Sequence, residues 1–167
     1  MDFVAREHEN VREHLGHMVA IAEADPGDIT VTLRNRLDAV FRFLHTELLT
    51  LMTFEEATLY PALDRIPDIP PTPRAMAEDH DTIRRAVRVL DDRAGADGWE
   101  RWSGDLHRPL LVDIQARIRT HLDTEEFLYG PLLSRLDPAE YTRLHQELAA
   151  IRSARGHQGG VSMRARR

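Results

Sequence analysis

The sequence feature that most constrains the fold is an internal repeat. The stretch LMTFEEATLYPAL, residues 51–63, aligns without a gap on HLDTEEFLYGPLL, residues 121–133. A shorter pair of stretches, residues 6–12 and 78–84, shares the order acid, His, acid, any residue, β-branched residue, Arg. Two related copies of this kind predict two helical hairpins related by a pseudo-two-fold axis.

The spacing between the repeated motifs also agrees. His8 and Glu55 are 47 residues apart, and His80 and Glu125 are 45 residues apart. Because nearly equal spacing puts equivalent side chains at similar depths in two hairpins, we expect the imidazole-bearing and carboxylate-bearing helix faces to meet in the middle of the molecule.

The hydrophobic pattern predicts helices and no strands. Apolar residues recur with a period near 3.6 in five segments, which are separated by short connectors rich in Pro, Gly and Asp. The segments are 2–24, 30–64, 73–94, 99–135 and 138–154. We therefore predict an all-α protein, an up-down antiparallel four-helix bundle with a short fifth C-terminal helix.

Several residues predict how the helices begin and bend. Pro61 should kink or shorten the end of the second helix, and Gly104 and Pro109 should bend or divide the start of the fourth. Asp137 followed by Pro138 is a helix start signal.

The domain prediction has three parts. The bundle covers residues 1–136 and an accessory C-terminal helix covers 137–155. A disordered basic tail covers 156–167.

Composition excludes several classes of function. The chain has no cysteine, so any metal must be held by imidazole and carboxylate groups. The net charge of −6 argues against nucleic-acid binding. The charged N-terminal stretch does not look like a signal peptide, and no apolar run is long enough for a membrane span. We therefore expect a soluble cytoplasmic protein with neither a nucleic-acid nor a membrane partner.

The candidate chemistry lies on the repeated faces. His121 and Glu125, four residues apart, share one helix face, although such a pair alone is more typical of a solvated surface. Glu55 and Glu125 lie on faces rich in leucine, and His8 and His80 head apolar stripes. Burying these carboxylates without partners would cost several kcal/mol each. A pair of metal ions coordinated by the carboxylates and imidazoles would remove that cost. A metal-free network of His–Glu hydrogen bonds is the alternative.

The motifs together resemble the hemerythrin-like, or HHE cation-binding, family. They are EHxxVR at 7–12, FEEATLYPAL at 54–63, DHxxIR at 79–84 and HxxxEE at 121–126, and the resemblance covers roughly residues 2–135. It implies a four-helix bundle with a non-haem di-iron site. Ferritin-like di-iron proteins need Glu-x-x-His pairs, and this sequence has none.

Carried over to this sequence, the resemblance implies a ligand set. The two metals would be coordinated by three histidines and bridged by two glutamates: His8, His80, His121, Glu55 and Glu125. Possible outer or replacement groups are Glu56, Glu126, Tyr60, Tyr129 and Arg84.

The sequence departs from the family pattern at two positions. Leu51 stands four residues before Glu55, where the family carries His. Arg84 stands where hemerythrins proper carry a further His. One metal would therefore keep His80 and His121, while the other keeps only His8 and the shared carboxylates. Two irons with an open second position, one iron, or a lost site all remain open.

Five other histidines do not fit the repeat, and we expect them to have structural or surface roles. They are His14, His17, His45, His107 and His145. His45 lies six residues before Leu51, about 120° around the helix, so it is a poor substitute ligand.

The resemblance and the open position leave three functional hypotheses. The first is a carrier or sensor whose iron binds O₂, NO or peroxide. The second is an iron-dependent oxygenase or a peroxide-decomposing enzyme that uses the open coordination position. The third is a degenerate, metal-free bundle that serves as an interaction module.

Overall fold

The structure is a computed structural model that describes residues 3–24, 30–68, 73–94 and 104–162. Within these ranges the chain forms five helices and no strand, so the all-α prediction is confirmed. The helices are α1 (Phe3–Ala22), α2 (31–63), α3 (Pro73–Ala94), α4 (Gly104–Leu133) and α5 (Pro138–Ser162). No helix in the described part of the chain is both long and apolar enough to cross a membrane.

Helix α2 changes its winding twice. It begins after Thr30, whose hydroxyl accepts a hydrogen bond from the backbone N–H of Leu33 at 3.2 Å. Two π-helical turns, Phe43–Leu48 and Glu55–Leu59, interrupt its α-helical parts. The second turn precedes Pro61, where a kink was predicted. Pro131 in the aligned repeat lies inside an α-helix without such a turn, so the proline alone does not account for it. Single π turns often mark functional sites.

Helix α4 differs from its prediction. We expected a bend or a separate turn at Gly104 and Pro109, but α4 runs without interruption from Gly104 to Leu133. Pro109 removes one hydrogen bond near the start of the helix. The next turns bury Leu111 and Ile114 completely, and this burial offsets the loss. The predicted helical residues 99–103 lie outside the described residues.

Helix α5 starts as predicted and ends later. The carboxylate of Asp137 accepts a hydrogen bond from the backbone N–H of Ala139 at 2.8 Å, as expected of a helix cap. We expected an end near residue 154 and disorder from 156, but the helix continues to Ser162. The backbone hydrogen bonds of the helix extend into that segment. Residues 163–167 lie outside the described part.

The core lies between the helices and includes side chains from all five. Helix α1 packs against α2 and α4, and α3 packs against α4. Fully or almost fully buried examples are Leu15, Met18, Leu37, Phe54, Leu90, Ile118 and Leu144. Burial of each such side chain contributes about 1.5–3 kcal/mol to folding.

Helix α5 packs against the middle of α2. Its contact is with the segment Leu49–Phe54, and it buries Leu144 and Leu148. Arg152 forms a two-pronged ion pair with Glu7 of α1. The accessory helix is therefore attached by an apolar contact to one helix and by charge to another.

Candidate metal centre

Four helices bring the predicted ligands together. His8 comes from α1, Glu55 from α2, His80 from α3, and His121 and Glu125 from α4. None of the five is more than 4 % exposed. These side chains are buried because they lie on the apolar faces of their helices, as predicted from the repeat.

The potential ligand atoms form two groups of three. Glu55, His80 and His121 form one group, and His8, Glu55 and Glu125 form the other. Within each group the ligand atoms lie within 4.8 Å of one another, which is close enough for one metal ion. Glu55 belongs to both groups. His121 Nε2 also lies 3.7 Å from an oxygen of Glu125, so the second carboxylate lies close to both groups.

An acidic residue contacts the Nδ1 atom of His8. Its Nδ1 lies 2.9 Å from Glu126 Oε1, and the same oxygen lies 2.8 Å from a guanidinium nitrogen of Arg12. The hydrogen bond from Arg12 lowers the pKa of Glu126. An ionised carboxylate can only accept, so Nδ1 of His8 carries the proton of this contact. When His8 is neutral, its Nε2 lone pair is left for a metal.

His80 is held in the same way. Its Nδ1 lies 2.7 Å from Glu56 Oε1, and that oxygen lies 2.8 Å from Arg84. Partial burial raises the pKa of Glu56, but the hydrogen bonds from Arg84 and His80 outweigh it and lower that pKa overall. Arg84 also contacts Asp81 at 3.2 Å. Arg84 therefore orients a carboxylate that in turn holds His80.

The two Arg–Glu–His chains cross between the halves of the repeat. His8 of the first half binds Glu126 of the second, and His80 of the second half binds Glu56 of the first. Inside, His8 Nε2 lies 3.2 Å from Glu125, and His80 Nε2 lies 3.2 Å from Glu55. The contacts thus repeat with the halves exchanged, as a pseudo-two-fold axis requires.

The interior polar atoms fit a cation. His8 Nε2 and both carboxylate oxygens of Glu125 are buried, and Nε2 lies 3.2 Å from one of those oxygens, so the buried carboxylate has only this imidazole as a close cationic partner. Burial, followed by the charge of Glu125, raises the pKa of Glu55 well above its usual value. Each of these features is what a metal ion between the groups would relieve.

The imidazoles have opposite pKa shifts. Burial lowers the pKa of His8, but its contact with Glu125 and the charges of Glu125 and Glu55 outweigh this and raise the value to about 9. Burial lowers the pKa of His121 to about 4. A neutral His121 is ready to ligate a metal, whereas His8 must first lose a proton.

Two tyrosines close one side of the centre. The hydroxyl of Tyr60 lies 3.3 Å from His80 Nε2, and the Tyr60 and Tyr129 rings pack with their centroids 5.4 Å apart. Both side chains are buried. Burial and the nearby charges of Glu55 and Glu125 raise the pKa of Tyr60, so its hydroxyl keeps its proton.

Leu51 is buried, at 5 % exposure, and offers no ligand atom. It is the counterpart of His121 in the repeat, so the group around His8 has one imidazole fewer than the group around His80.

Some contact residues were not singled out from the sequence. Arg12 binds Glu126, Asp123 lies 3.6 Å from Arg12, and Asp79 lies 3.8 Å from His121 Nδ1. The repeat contained the signal for Arg12, because it aligns with Arg84. Asp79 and Asp123 are exposed acidic residues that the helical pattern alone does not distinguish from others.

The remaining histidines that the structure describes belong to neither ligand group. His45 binds Asp91 at 2.9 Å, and His14 stacks on Phe43 with a centroid distance of 4.4 Å.

Comparison with protein families agrees with this geometry. The family model described as the hemerythrin HHE cation binding domain matches residues 1–133, which is most of the chain. The chain belongs to the hemerythrin HHE family. The match covers α1 to α4 and ends where α4 ends, so all five predicted ligands of this hemerythrin domain lie within it. Searches of curated proteins and of solved structures gave no match.

Proposed function

We propose that this hemerythrin-domain protein is a non-haem iron protein that holds two iron ions and binds or reacts with O₂, NO or peroxide. The observation that carries the proposal is the pair of buried ligand groups that share Glu55. The fully buried carboxylate of Glu125 beside them supports a cation at this place. Imidazole and carboxylate ligands together suit iron.

The proposed ligand set follows from the two groups. His80 and His121 would hold one iron and His8 the other, with Glu55 and Glu125 shared between them. We also propose the up-down antiparallel bundle as the scaffold. The packing of α1 against α2 and α4, and of α3 against α4, supports it.

Iron in such a site supplies reversible or reductive binding of small oxygen- and nitrogen-containing molecules. The residues of the protein orient the ligands and exclude water around the iron. Glu126 and Glu56 fix the imidazoles of His8 and His80. The protonated hydroxyl of Tyr60 is placed to donate a hydrogen bond into the centre.

The partners and location in this proposal are those that the sequence suggests. We propose O₂, NO or peroxide as small ligands in a cytoplasmic protein that has neither a nucleic-acid nor a membrane partner. The net charge of −6 supports the first of these exclusions.

Iron content and the absorption spectrum of freshly purified protein test the proposal. We expect about two irons per chain and, in air, absorption bands of an oxo-bridged pair; fewer than about 0.2 irons per chain would contradict the proposal. That low value would favour the metal-free interaction module instead. One iron without the bands would favour a mononuclear site.

A catalytic function is the second candidate, and Leu51 is the observation that favours it. Because its buried apolar side chain offers no ligand atom, a metal held by His8 would keep an open coordination position. Oxygenases and peroxide-decomposing enzymes need such a position for the reacting molecule. Steady turnover of peroxide that is lost in His121→Ala and Glu125→Ala would support the enzyme, and stoichiometric binding without turnover would support the carrier.

A further inference from the structure

We infer that Asp79 is a positioning residue that orients His121 for metal binding. Glu7 is the counterpart of Asp79 in the repeat, and it anchors α5 instead because Leu51 stands where the histidine that it would orient is missing. The inference rests on the proposed function and deepens it, since it concerns how His121 presents its Nε2 to a metal.

Two of the three proposed histidine ligands have a glutamate at Nδ1, and the third does not. The Nδ1 atoms of His8 and His80 lie 2.9 Å and 2.7 Å from their glutamates. Nδ1 of His121 is buried and has no hydrogen bond. Asp79 Oδ2 lies 3.8 Å from it, which is too long for a hydrogen bond. The third histidine therefore has an acidic neighbour of the same kind, with the contact still open.

The position of the proton on His121 accounts for the open contact. Burial lowers the pKa of His121 to about 4 and also lowers the pKa of His80, so both rings are neutral and each carries one N–H. His80 has its proton on Nδ1, where it is donated to the ionised Glu56. Its Nε2 accepts from Nε2 of His121, 2.9 Å away. Nδ1 of His121 is then a bare acceptor, which repels the carboxylate of Asp79.

Metal binding reverses this arrangement while the ring stays neutral. Nε2 of His121 can hold a metal only through its lone pair, so its proton must move to Nδ1. Nδ1 then becomes a donor that faces Asp79, and rotation of this half-exposed side chain can close a charge-assisted hydrogen bond. Such a contact fixes the ring and raises its basicity. Asp79 thereby favours the metal-binding tautomer of His121.

The repeat contains a second copy of this pair in which the histidine is missing. Glu7 aligns with Asp79, and position 51 aligns with position 121. The contacts of the outer glutamates already repeat with the halves exchanged. By the same relation, Glu7 is expected to face position 51 as Asp79 faces His121. Because Leu51 has no ring nitrogen, Glu7 has no imidazole to orient there.

Glu7 has a different partner, which comes from the helix added to the bundle. Arg152 of α5 binds both of its carboxylate oxygens, one of them at 2.8 Å. Helix α5 also packs on the segment Leu49–Phe54, which contains position 51. This helix lies beyond residue 133, where the match to the family model ends. The half of the repeat that lacks a histidine is therefore the half to which α5 is anchored.

Metal affinity of full-length variants tests the role of Asp79, with Zn²⁺ as the probe and a chelating dye as the competitor. The metal position of His80 and His121 is termed the His80 position, and that of His8 the His8 position. We expect Asp79→Ala to weaken binding at the His80 position about tenfold, the lower end of such effects, because Asp79 is half exposed. Asp79→Asn keeps an acceptor oxygen and should lose less. Glu78→Ala, which removes the exposed acidic residue beside it, is the control.

Nitrogen-15 NMR of the imidazole rings distinguishes orientation from a general loss of negative charge. We expect the His121 proton on Nε2 in the metal-free protein and on Nδ1 in the Zn²⁺-loaded protein. The resonance of this Nδ1 proton should shift upfield in Asp79→Ala and stay in place in Glu78→Ala. An unchanged resonance in Asp79→Ala overturns the inference and leaves the proposed function intact. A parent protein that binds neither Zn²⁺ nor iron overturns both.

A double-mutant cycle tests the role of Glu7. Leu51→His gives Glu7 an imidazole to orient and should strengthen binding at the His8 position. We expect Glu7→Ala to lower metal affinity about tenfold in the Leu51→His protein and to change it much less in the parent. Thermal unfolding of each metal-free variant checks that it is folded. Equal effects of Glu7→Ala in the two backgrounds would overturn the assignment of Glu7 as the counterpart of Asp79.

Discussion

Glu56 Oε1 lies 2.7 Å from Nδ1 of His80, so an acidic residue of one half of the repeat orients an imidazole of the other. Glu126 does the same for His8 at 2.9 Å. Both carboxylates were predicted as outer or replacement groups, and their contacts on the outer side of the imidazoles support the outer role. Such contacts fix which ring nitrogen is free for a metal and raise its basicity.

Replacing these carboxylates should weaken metal binding without removing a ligand. We expect Glu56→Ala and Glu126→Ala each to lower metal affinity by about 10–100-fold, because the imidazole loses its fixed orientation. Glu→Gln should cost less, since the amide oxygen still accepts a hydrogen bond. Competition with a chelating dye measures the affinity. Glu13→Ala, on the exposed side of α1, is the matched control. Equal affinities in Glu126→Ala and Glu13→Ala would contradict the outer role of Glu126.

The sequence predicted the elements that depend on repetition. The gap-free alignment of residues 51–63 with 121–133, together with the 3.6-residue period, was enough to predict an all-helical chain. It was also enough to select five side chains that the structure brings together in the interior. Their assignment as ligands stays a prediction. Repeated patterns are predictable because the same residue types at the same spacing favour the same local structure in each copy.

The features that depend on tertiary contacts were not predictable in this way. The π turn at Glu55–Leu59 has no equivalent near Pro131, although the two prolines align. The contact between Glu126 and His8 joins residues 118 positions apart. Local propensity also placed the end of α5 near residue 154, where the structure continues the helix to Ser162. The prediction relied on the glycines at 156, 159 and 160, and helix ends are read from such local signals less reliably than the existence of the helix.

The attachment of α5 should depend on burial more than on charge. Leu144 is fully buried, and we expect Leu144→Ala to lower the free energy of unfolding by about 2–4 kcal/mol through lost burial and a cavity. Arg152→Ala removes the partly exposed pair with Glu7, and we expect a loss below about 1 kcal/mol. Urea unfolding followed by circular dichroism measures both. A larger loss in Arg152→Ala than in Leu144→Ala would show that the ion pair dominates.

The metal-free protein should be stabilised by removing a carboxylate. Burial and Glu125 raise the pKa of Glu55 above the usual 4.5. A raised carboxyl pKa favours folding below pH 4.5 and loses that contribution as pH rises towards the folded-state value. We therefore expect Glu55→Gln to be more stable than the parent at neutral pH, and this difference to shrink towards pH 4.5.

Thermal unfolding in the presence of a chelator measures this difference. The same substitution removes a shared ligand, so we expect the variant to bind metal more weakly than the parent. A metal-free Glu55→Gln protein that is less stable than the parent at pH 7 would contradict the account of Glu55 as an unrelieved buried acid.

Metal affinity should rise with pH up to about 9. Contact with Glu125 and the charges of Glu125 and Glu55 outweigh burial and raise the pKa of His8 to about 9, so this imidazole holds a proton at neutral pH in the metal-free protein. Metal binding must displace that proton, and one displaced proton gives about a tenfold gain in affinity per pH unit below the pKa. His121 contributes nothing to this trend near neutrality, because burial lowers its pKa to about 4.

Calorimetric titration measures both the metal affinity and the number of protons released. The titrant is Zn²⁺, which has no redox chemistry, and the titration is repeated at pH 6.5 to 8.5 in two buffers of different ionisation enthalpy. We expect about one proton released per chain from His8 at pH 7 as the His8 position fills, with a further one wherever the raised pKa of Glu55 keeps this shared ligand protonated. Because His121 has no proton to release, binding at the His80 position depends on pH through Glu55 alone and should vary less. His8→Gln should remove the steeper dependence while the His80 position still binds. A pH-independent affinity in the parent protein would contradict the protonated state of His8.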